Sequence, residues 1–318
     1  MYFCKKLRSM NKTTRLLDYE QITRLLEDFD EKYVFEKVNL IPKEYDLKQR
    51  LTQYVDIENI NRKSVLGIDI YKYSSYEKFE QSLVPFMFKI LFNETIDMCF
   101  KNHAFLFQKY TKNEIEENFI STGDGGFVIF DIPLHALLFA CNFAIVLRAY
   151  NSYHFFPKLR KIVGGASLRY AITYDSLYYF DKSHYGSAVI NNARILTKDT
   201  LNRCIIDQNV YDWFTLNIDG LENLQLITID DVANIYDIQG SYDFTILEHN
   251  PDAIFAKHST REFGVINSDV LKIGEIKSKE SELIVYNVHI QIASRWQRAE
   301  SQRMITVSLG NLNTSHLI

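Results

Sequence analysis

The chain has 318 residues, of which 47% are hydrophobic, 14% aromatic and 24% charged, the profile of a globular protein with a sizeable core. Its 36 basic and 40 acidic side chains leave a net charge of −4, so no global field recruits a nucleic acid or an anionic membrane. A polyanionic ligand would have to be met by a local device, such as metal ions.

The chain opens MYFCKKLRSMNK, which is charged at once and unlike a signal peptide. Residues 1–60 then carry helical periodicity, with Leu16, Leu17, Ile22, Leu25 and Leu26 among charges and Asp18 and Thr23 as candidate caps, and read as a helical N-terminal extension. From Ser64 the texture changes. VLGIDIY is a short apolar run with β-branched members, and Ser74 or Ser75 caps a helix reaching about Asn102. FIST and GFVIF flank Gly123-Asp124-Gly125 as a hairpin, because glycine takes positive φ at little cost. Pro133 opens a helix over LHALLFACNFAIVL (134–147), a run shorter than the roughly 20 residues of a bilayer span and read as core.

Strands SLRYAITY (167–174) and LYYF (177–180) follow, then a helix at 188–196, the strand CIID, a short helix NVYDWF, and two expected closing strands, NLQLITI and VANIYDI. Helices interleaved with strands in this order indicate an α/β or α+β sheet with helices packed on it over residues 61–242. Beyond it, 243–318 reads as a small β-rich C-terminal extension of unknown role, with strands at 283–292 and 304–309 separated by the polar RWQRAESQR. Cys4, Cys99, Cys141 and Cys204 lack the paired spacings of zinc sites or disulfide frameworks and read as reduced, buried thiols. The eight histidines are scattered and make no metal or catalytic pair; GG at 164–165 reads as a turn. A cytoplasmic chain is expected.

Two acids stand out. GIDIYKYS and ISTGDGGFVIF each place one carboxylate, Asp69 or Asp124, in an apolar strand-like run, where an uncompensated charge costs several kcal/mol. Taken singly, each is a strand end or a turn residue. If the first strand lies beside the hairpin, both acids converge at one sheet edge, where hard divalent cations that take oxygen ligands and hold phosphates would account for them.

An Asp-Ile pair ending the first strand, a GDG hairpin some fifty residues on and a later G-x(7)-R helix resemble the class III nucleotide cyclase catalytic domain, over roughly residues 64 to 240. The resemblance implies a ferredoxin-like sheet and a homodimer with interfacial active sites. It also implies two divalent ions, Mn2+ or Mg2+, held by Asp69, the Ile70 carbonyl and Asp124. One ion would activate the ribose 3′-hydroxyl and the other would hold the leaving diphosphate. Arg194, in register from Gly186, would stabilise charge on the α-phosphate; the family's Asn position is Ile190, with Asn191 next to it as the substitute. The family's phosphate Lys has no clear counterpart beyond Lys198.

The base readers of purine cyclases are replaced here by Ile120 and Ser183. With the tyrosine-rich LYYFDKSHYGSAV, the chain is similar to the short pyrimidine cyclases of the Pycsar antiphage systems. That similarity implies a UTP substrate, CTP being the alternative, and a cyclic product acting on a separate effector. Tyr73, Tyr178, Tyr179 and Tyr185, among 20 Tyr, are the bulky candidates to fill a pyrimidine pocket, and His184 stands beside Tyr185. A catalytically degenerate nucleotide-binding module is the rival reading.

Overall fold

The computed structural model describes residues 19–32, 44–51, 61–180, 183–227, 229–237, 264–277, 282–298, 301–315 and 317. Two helices lie in the N-terminal part, α1 (Tyr19–Lys32) and α2 (Glu44–Leu51). Thr23 is inside α1, and Asp18 lies outside the described residues. Strand β1 (Arg62–Ile70) follows, buried on both faces from Ser64 to Ile68 and so fit only for the middle of a sheet. After a 3-10 turn at Tyr73–Ser75 come α3 (Lys78–Asn102), α4 (Ala104–Phe107) and α5 (Lys112–Glu117). The cap of α3 is Glu77, in a reciprocal capping box with Glu80, and not Ser74 or Ser75, which belong to the 3-10 turn.

The hairpin forms as read, from β2 (Phe119–Ser121) and β3 (Gly125–Phe130). Then α6 (Pro133–Asn151), with Pro133 in its first turn, and α7 (Pro157–Val163) precede β4 (Leu168–Ser176). A small separate hairpin, β5 (Tyr178–Phe180) and β6 (Ser183–Tyr185), leads into α8 (Ser187–Lys198), β7 (Cys204–Asp207) and α9 (Gln208–Ile218). The order β4-β1-β3-β2, antiparallel throughout, interleaves two β-α-β units in the ferredoxin-like manner. On the other side β7 adds to β4 in parallel.

The two expected closing strands are not strands. Residues Leu221–Leu226 form a 3-10 helix and Ile229–Asp237 form α10. NLQLITI alternates, but the buried positions here are Leu221, just before it, and Leu224 and Ile227 within it, a three-residue spacing that suits a 3-10 stripe. The ladder edge it would have needed is taken. Strands β8 (Gly264–Lys277), β9 (Glu282–Arg298) and β10 (Ser301–Leu309) follow, and β9 pairs with β7 from Cys204↔Val288 to Asp207↔Val285. The β-rich C-terminal part is therefore built into the sheet, running β10-β9-β7-β4-β1-β3-β2 with β8 on β9, instead of standing apart from residue 243 onward. Of RWQRAESQR, Arg295–Arg298 continue β9 and Ser301–Arg303 begin β10, paired with each other.

The sheet has two unlike faces. Leu66, Ile68 and Ile70 of β1, with Val128, Phe130, Leu168, Tyr170 and Ile172, pack into one large core with α3 and α6. Each fully buried side chain of this size is worth about 1.5–3 kcal/mol of transfer free energy. Helix α6 is long and apolar enough to cross a membrane, but it serves as the core helix, with only Leu147, Arg148 and Asn151 not buried. On the opposite face α8 lies across β4 and β1, flanked by two smaller clusters.

Candidate active site

The alternation of β1 decides which way Asp69 points. With the even-numbered residues committed to the main core, Val65, Gly67 and Asp69 fall on the α8 face. Asp69 pairs across the ladders with Gly125 of β3 and Arg169 of β4. The turn before β3 is made possible by Gly123 at φ 103°, while a Cβ on Gly125 would sit 2.0 Å from the Ile68 carbonyl oxygen. The backbone N–H of Ile70 then donates to the Asp124 carbonyl at 3.1 Å, so the residue after the first acid is tied to the second.

The two carboxylates are near enough for each to feel the other's charge. Burial is the main influence pushing the Asp69 carboxyl above its ordinary range; Arg169 opposes this, and the Asp124 carboxylate reinforces it through charge and a side-chain hydrogen bond. Asp69 Oδ2 accepts from Arg169 Nε, and the other side of the same guanidinium, Nη1, donates to the Asp199 carbonyl. Among the described residues no cluster of three Asp, Glu, His or Cys forms a self-sufficient metal cage. A pair of half-buried acids does fit cations of the Mg2+ type, which commonly take one or two protein carboxylates and fill their shell from substrate phosphates and water.

Helix α8 is seated by contact with β1. Gly67 leaves the space that Asn192 occupies, since a Cβ there would lie 2.0 Å from Asn192 Oδ1. Buried Asn192 donates from Nδ2 to the Val65 carbonyl at 2.8 Å and the Ala171 carbonyl at 2.9 Å, clamping the helix onto β1 and β4. Its neighbour Asn191 is turned a third of the way round and accepts from Arg194 Nη1 at 3.3 Å. Both line a groove of about 530 Å³ with Ile190, Ser187, Asp175, Asp207, Gln208 and residues 282–284 of β9. Asp69, Ile70 and Asp124 are not among its lining residues. Arg194 and Asn191, in contrast, line it.

Three of the four expected base contacts gather at the start of α8. Ile120 packs with Val65, Ile129, Leu177 and Ala188, next to the β5–β6 hairpin in which Tyr185 stacks on Tyr178 at 5.9 Å and Ser183 is exposed. His184 lies against Tyr179 at 4.9 Å, and burial, with Lys63 nearby, pulls its pKa down to about 4. Tyr73 is elsewhere: its hydroxyl donates to the Gln81 carbonyl at 3.3 Å and its ring lies against the main core. Lys198 is exposed at the end of α8.

Two residues escaped the sequence reading. Arg169 carries a signal that was available, because alternation in LRYAITYD places Arg169, Ala171, Thr173 and Asp175 on one face and Leu168, Tyr170 and Ile172 on the core face. Asp207 reads as the last letter of CIID, yet it is buried in the groove wall, caps α9 through Val210 N–H at 2.9 Å and is pushed up to about 7 by burial.

No family model matches the chain, and no curated protein matches its sequence. Among solved structures it is similar to the guanylyl cyclase Cya2, with 12% identity over 72% of this chain and 91% of that one and a TM-score of 0.38. It is also similar to an adenylate/guanylate cyclase/hydrolase from Silicibacter pomeroyi (13% identity, 72% and 96% covered, TM-score 0.38) and to the adenylyl cyclase CyaB from P. aeruginosa (11%, 71% and 93%, 0.37). Likeness at such scores defines neither fold nor activity for this chain.

Proposed function

We propose that the chain is a pyrimidine nucleotide cyclase, converting UTP to 3′,5′-cyclic UMP and diphosphate, with CTP as the alternative substrate. One observation carries the reading: Asp69 and Asp124, 55 positions apart in sequence, share one sheet edge on the face left open beside α8. Two Mn2+ or Mg2+ ions there would supply an activated 3′-oxygen and charge neutralisation on the diphosphate. Asp69, Asp124 and the Ile70 carbonyl would hold them, and Arg169, fixed at the acids, offers a triphosphate a guanidinium.

Arg194, with Asn191 behind it, would face the α-phosphate of a nucleotide held by a second copy of the chain. Its place in a groove apart from the acids supports a homodimer whose active sites lie between protomers. Ile120, Ser183 and Tyr185 would form a pocket for the base. The reading extends to a cytoplasmic bacterial enzyme in antiviral defence, whose product acts on a separate effector. Incubation of the full chain with each NTP and Mn2+, followed by mass spectrometry, tests it. Cyclic UMP as the main product is expected; cyclic CMP or a purine product would redirect the specificity, and no cyclic nucleotide with any divalent ion would overturn the enzyme reading in favour of a nucleotide-binding module.

A further inference from the structure

Behind the acid pair lies a hydrogen-bonded chain that the proposed chemistry does not explain. The side chains of Asp199 and Arg203 are each only 1% exposed, a salt bridge inside the protein. Asp199 Oδ1 accepts from Arg203 Nε at 2.9 Å and Nη2 at 2.7 Å. The remaining terminal nitrogen, Nη1, donates to the carbonyls of Ser315 at 2.6 Å and Asn313 at 3.3 Å. A buried guanidinium without such acceptors is costly, so the C-terminal segment Asn311–Ser315 completes the shell of Arg203.

That segment, NLNTS, is shaped to do so. Asn311 Oδ1 accepts from Asn313 N–H at 2.8 Å and Asn313 Oδ1 from Ser315 N–H at 3.0 Å, two successive Asx turns. Asn311 Nδ2 donates to Asn202 O and Oδ1, both at 2.9 Å, and Asn287 of β9 donates to the Asn311 carbonyl at 2.8 Å. Beyond it, Leu317 packs against the cluster of Ile273, Ile276, Leu283 and Val285. The segment is a strap laid over the loop 199–203.

The far side of that loop reaches the site, because the Asp199 carbonyl accepts from Arg169 Nη1 while Arg169 Nε holds Asp69. We infer that the strap Asn311–Ser315, through Arg203 and Asp199, is a positioning element for Arg169, and so decides how much of Asp69 remains available to a cation. The physical reason is geometric. Carboxylates and guanidinium groups favour two parallel bonds, and an Arg169 released from the Asp199 carbonyl would turn its second edge onto Asp69. With the strap in place, Asp69 is bonded by Nε through one oxygen.

This inference rests on the reading of Asp69 and Asp124 as cation ligands, and its test has an arm that does not. In metal-free full-length protein, the Arg169 Nε–H resonance, assigned by its loss in Arg169→Lys, reports the anchor directly. Asn311→Ala, which leaves every buried charge in place, and a chain ending at Gly310 should both shift that resonance and speed its exchange with solvent. In the second arm Mn2+ affinity should fall roughly three- to tenfold in Asn311→Ala, but not when the same change is made in an Arg169→Gln background, because coupled groups lose additivity. An Arg169 resonance unmoved by Asn311→Ala, or an equal loss of Mn2+ affinity in both backgrounds, would overturn the strap's role. A native chain that binds no Mn2+ would instead sink the cation-site reading, leaving the resonance to judge the strap.

Discussion

Helices α6 and α8 rest on opposite faces of one sheet and could hardly differ more. Almost all of α6 is buried, whereas the buried residues of α8 are Ala188, Asn192 and Ile195. A helix buried all round has nothing left to offer a ligand; it contributes the hydrophobic free energy that allows the other face to stay polar. On the α8 face the charges collect: Asp69, Arg169 and Asp175 on the strands, Arg194 on the helix. On the function proposed above, the difference separates stability from chemistry, and substitutions can test how cleanly.

The sharpest test is at the acids. Asp69→Ala or Asp124→Ala should cut cyclic-nucleotide formation by roughly 10³-fold or more, with circular dichroism and melting temperature showing an intact fold, since the missing group is part of a cooperative site. Arg194→Ala should cost about 10²–10³-fold in kcat, the usual loss for a group that stabilises transition-state charge. Mixing inactive Asp69→Ala and Arg194→Ala chains should restore about a quarter of native turnover, because half of randomly paired dimers would hold one intact interfacial site of two. No restoration would place acids and arginine in one chain's site and break the two-chain reading.

On the other face, Phe139→Ala should lower unfolding free energy by about 3–5 kcal/mol in denaturant titrations, because Phe139 is fully buried among Phe92, Phe130 and Phe143. The specific activity of the folded fraction should stay near native. A pH series addresses Asp207, on the border between the two functions. Its folded pKa of about 7 exceeds the ordinary carboxyl value of 3.8, so the folded state holds the proton more tightly than the unfolded one. Stability is therefore lost as pH rises from about 4 to about 7, by at most ~4 kcal/mol from this group. Asp207→Asn, neutral throughout, should lack that slope, and the melting-temperature difference should move in its favour across the same window. Smallest is the contrast on α8. Asn191→Ala should lower turnover by about tenfold, as expected for a residue that orients a catalytic group, while Ile190→Ala should change it less than about threefold.

Much of this division was legible. Local patterns exposed the core helix, the hairpin with its glycines and both acids, because each is written within about ten neighbouring residues and obeys a period of 2 or 3.6. Arg169 was just as visible by alternation, but a charged residue in a strand gives no sign of which partner it will meet across the ladder. The C-terminal third was not legible. Whether 223–238 or 264–309 would take the edge of β7 is a competition between distant segments, and the alternation in NLQLITI resembles that of a true strand. Asn191 and Asn192 show the same limit on a smaller scale, since one step along a helix turns a groove residue into a clamp.

The late arrival of β9 and β10 has a consequence for synthesis. Strand β7 emerges from the ribosome some eighty residues before the segment that covers its edge, and α6, which packs against β10, waits longer still. Until residue 309 is out, the nascent chain carries an uncovered strand edge and apolar surface, the kind of exposure that chaperones recognise. The same delay means that a truncated translation product lacks β9 and β10 and leaves the β7 edge uncovered.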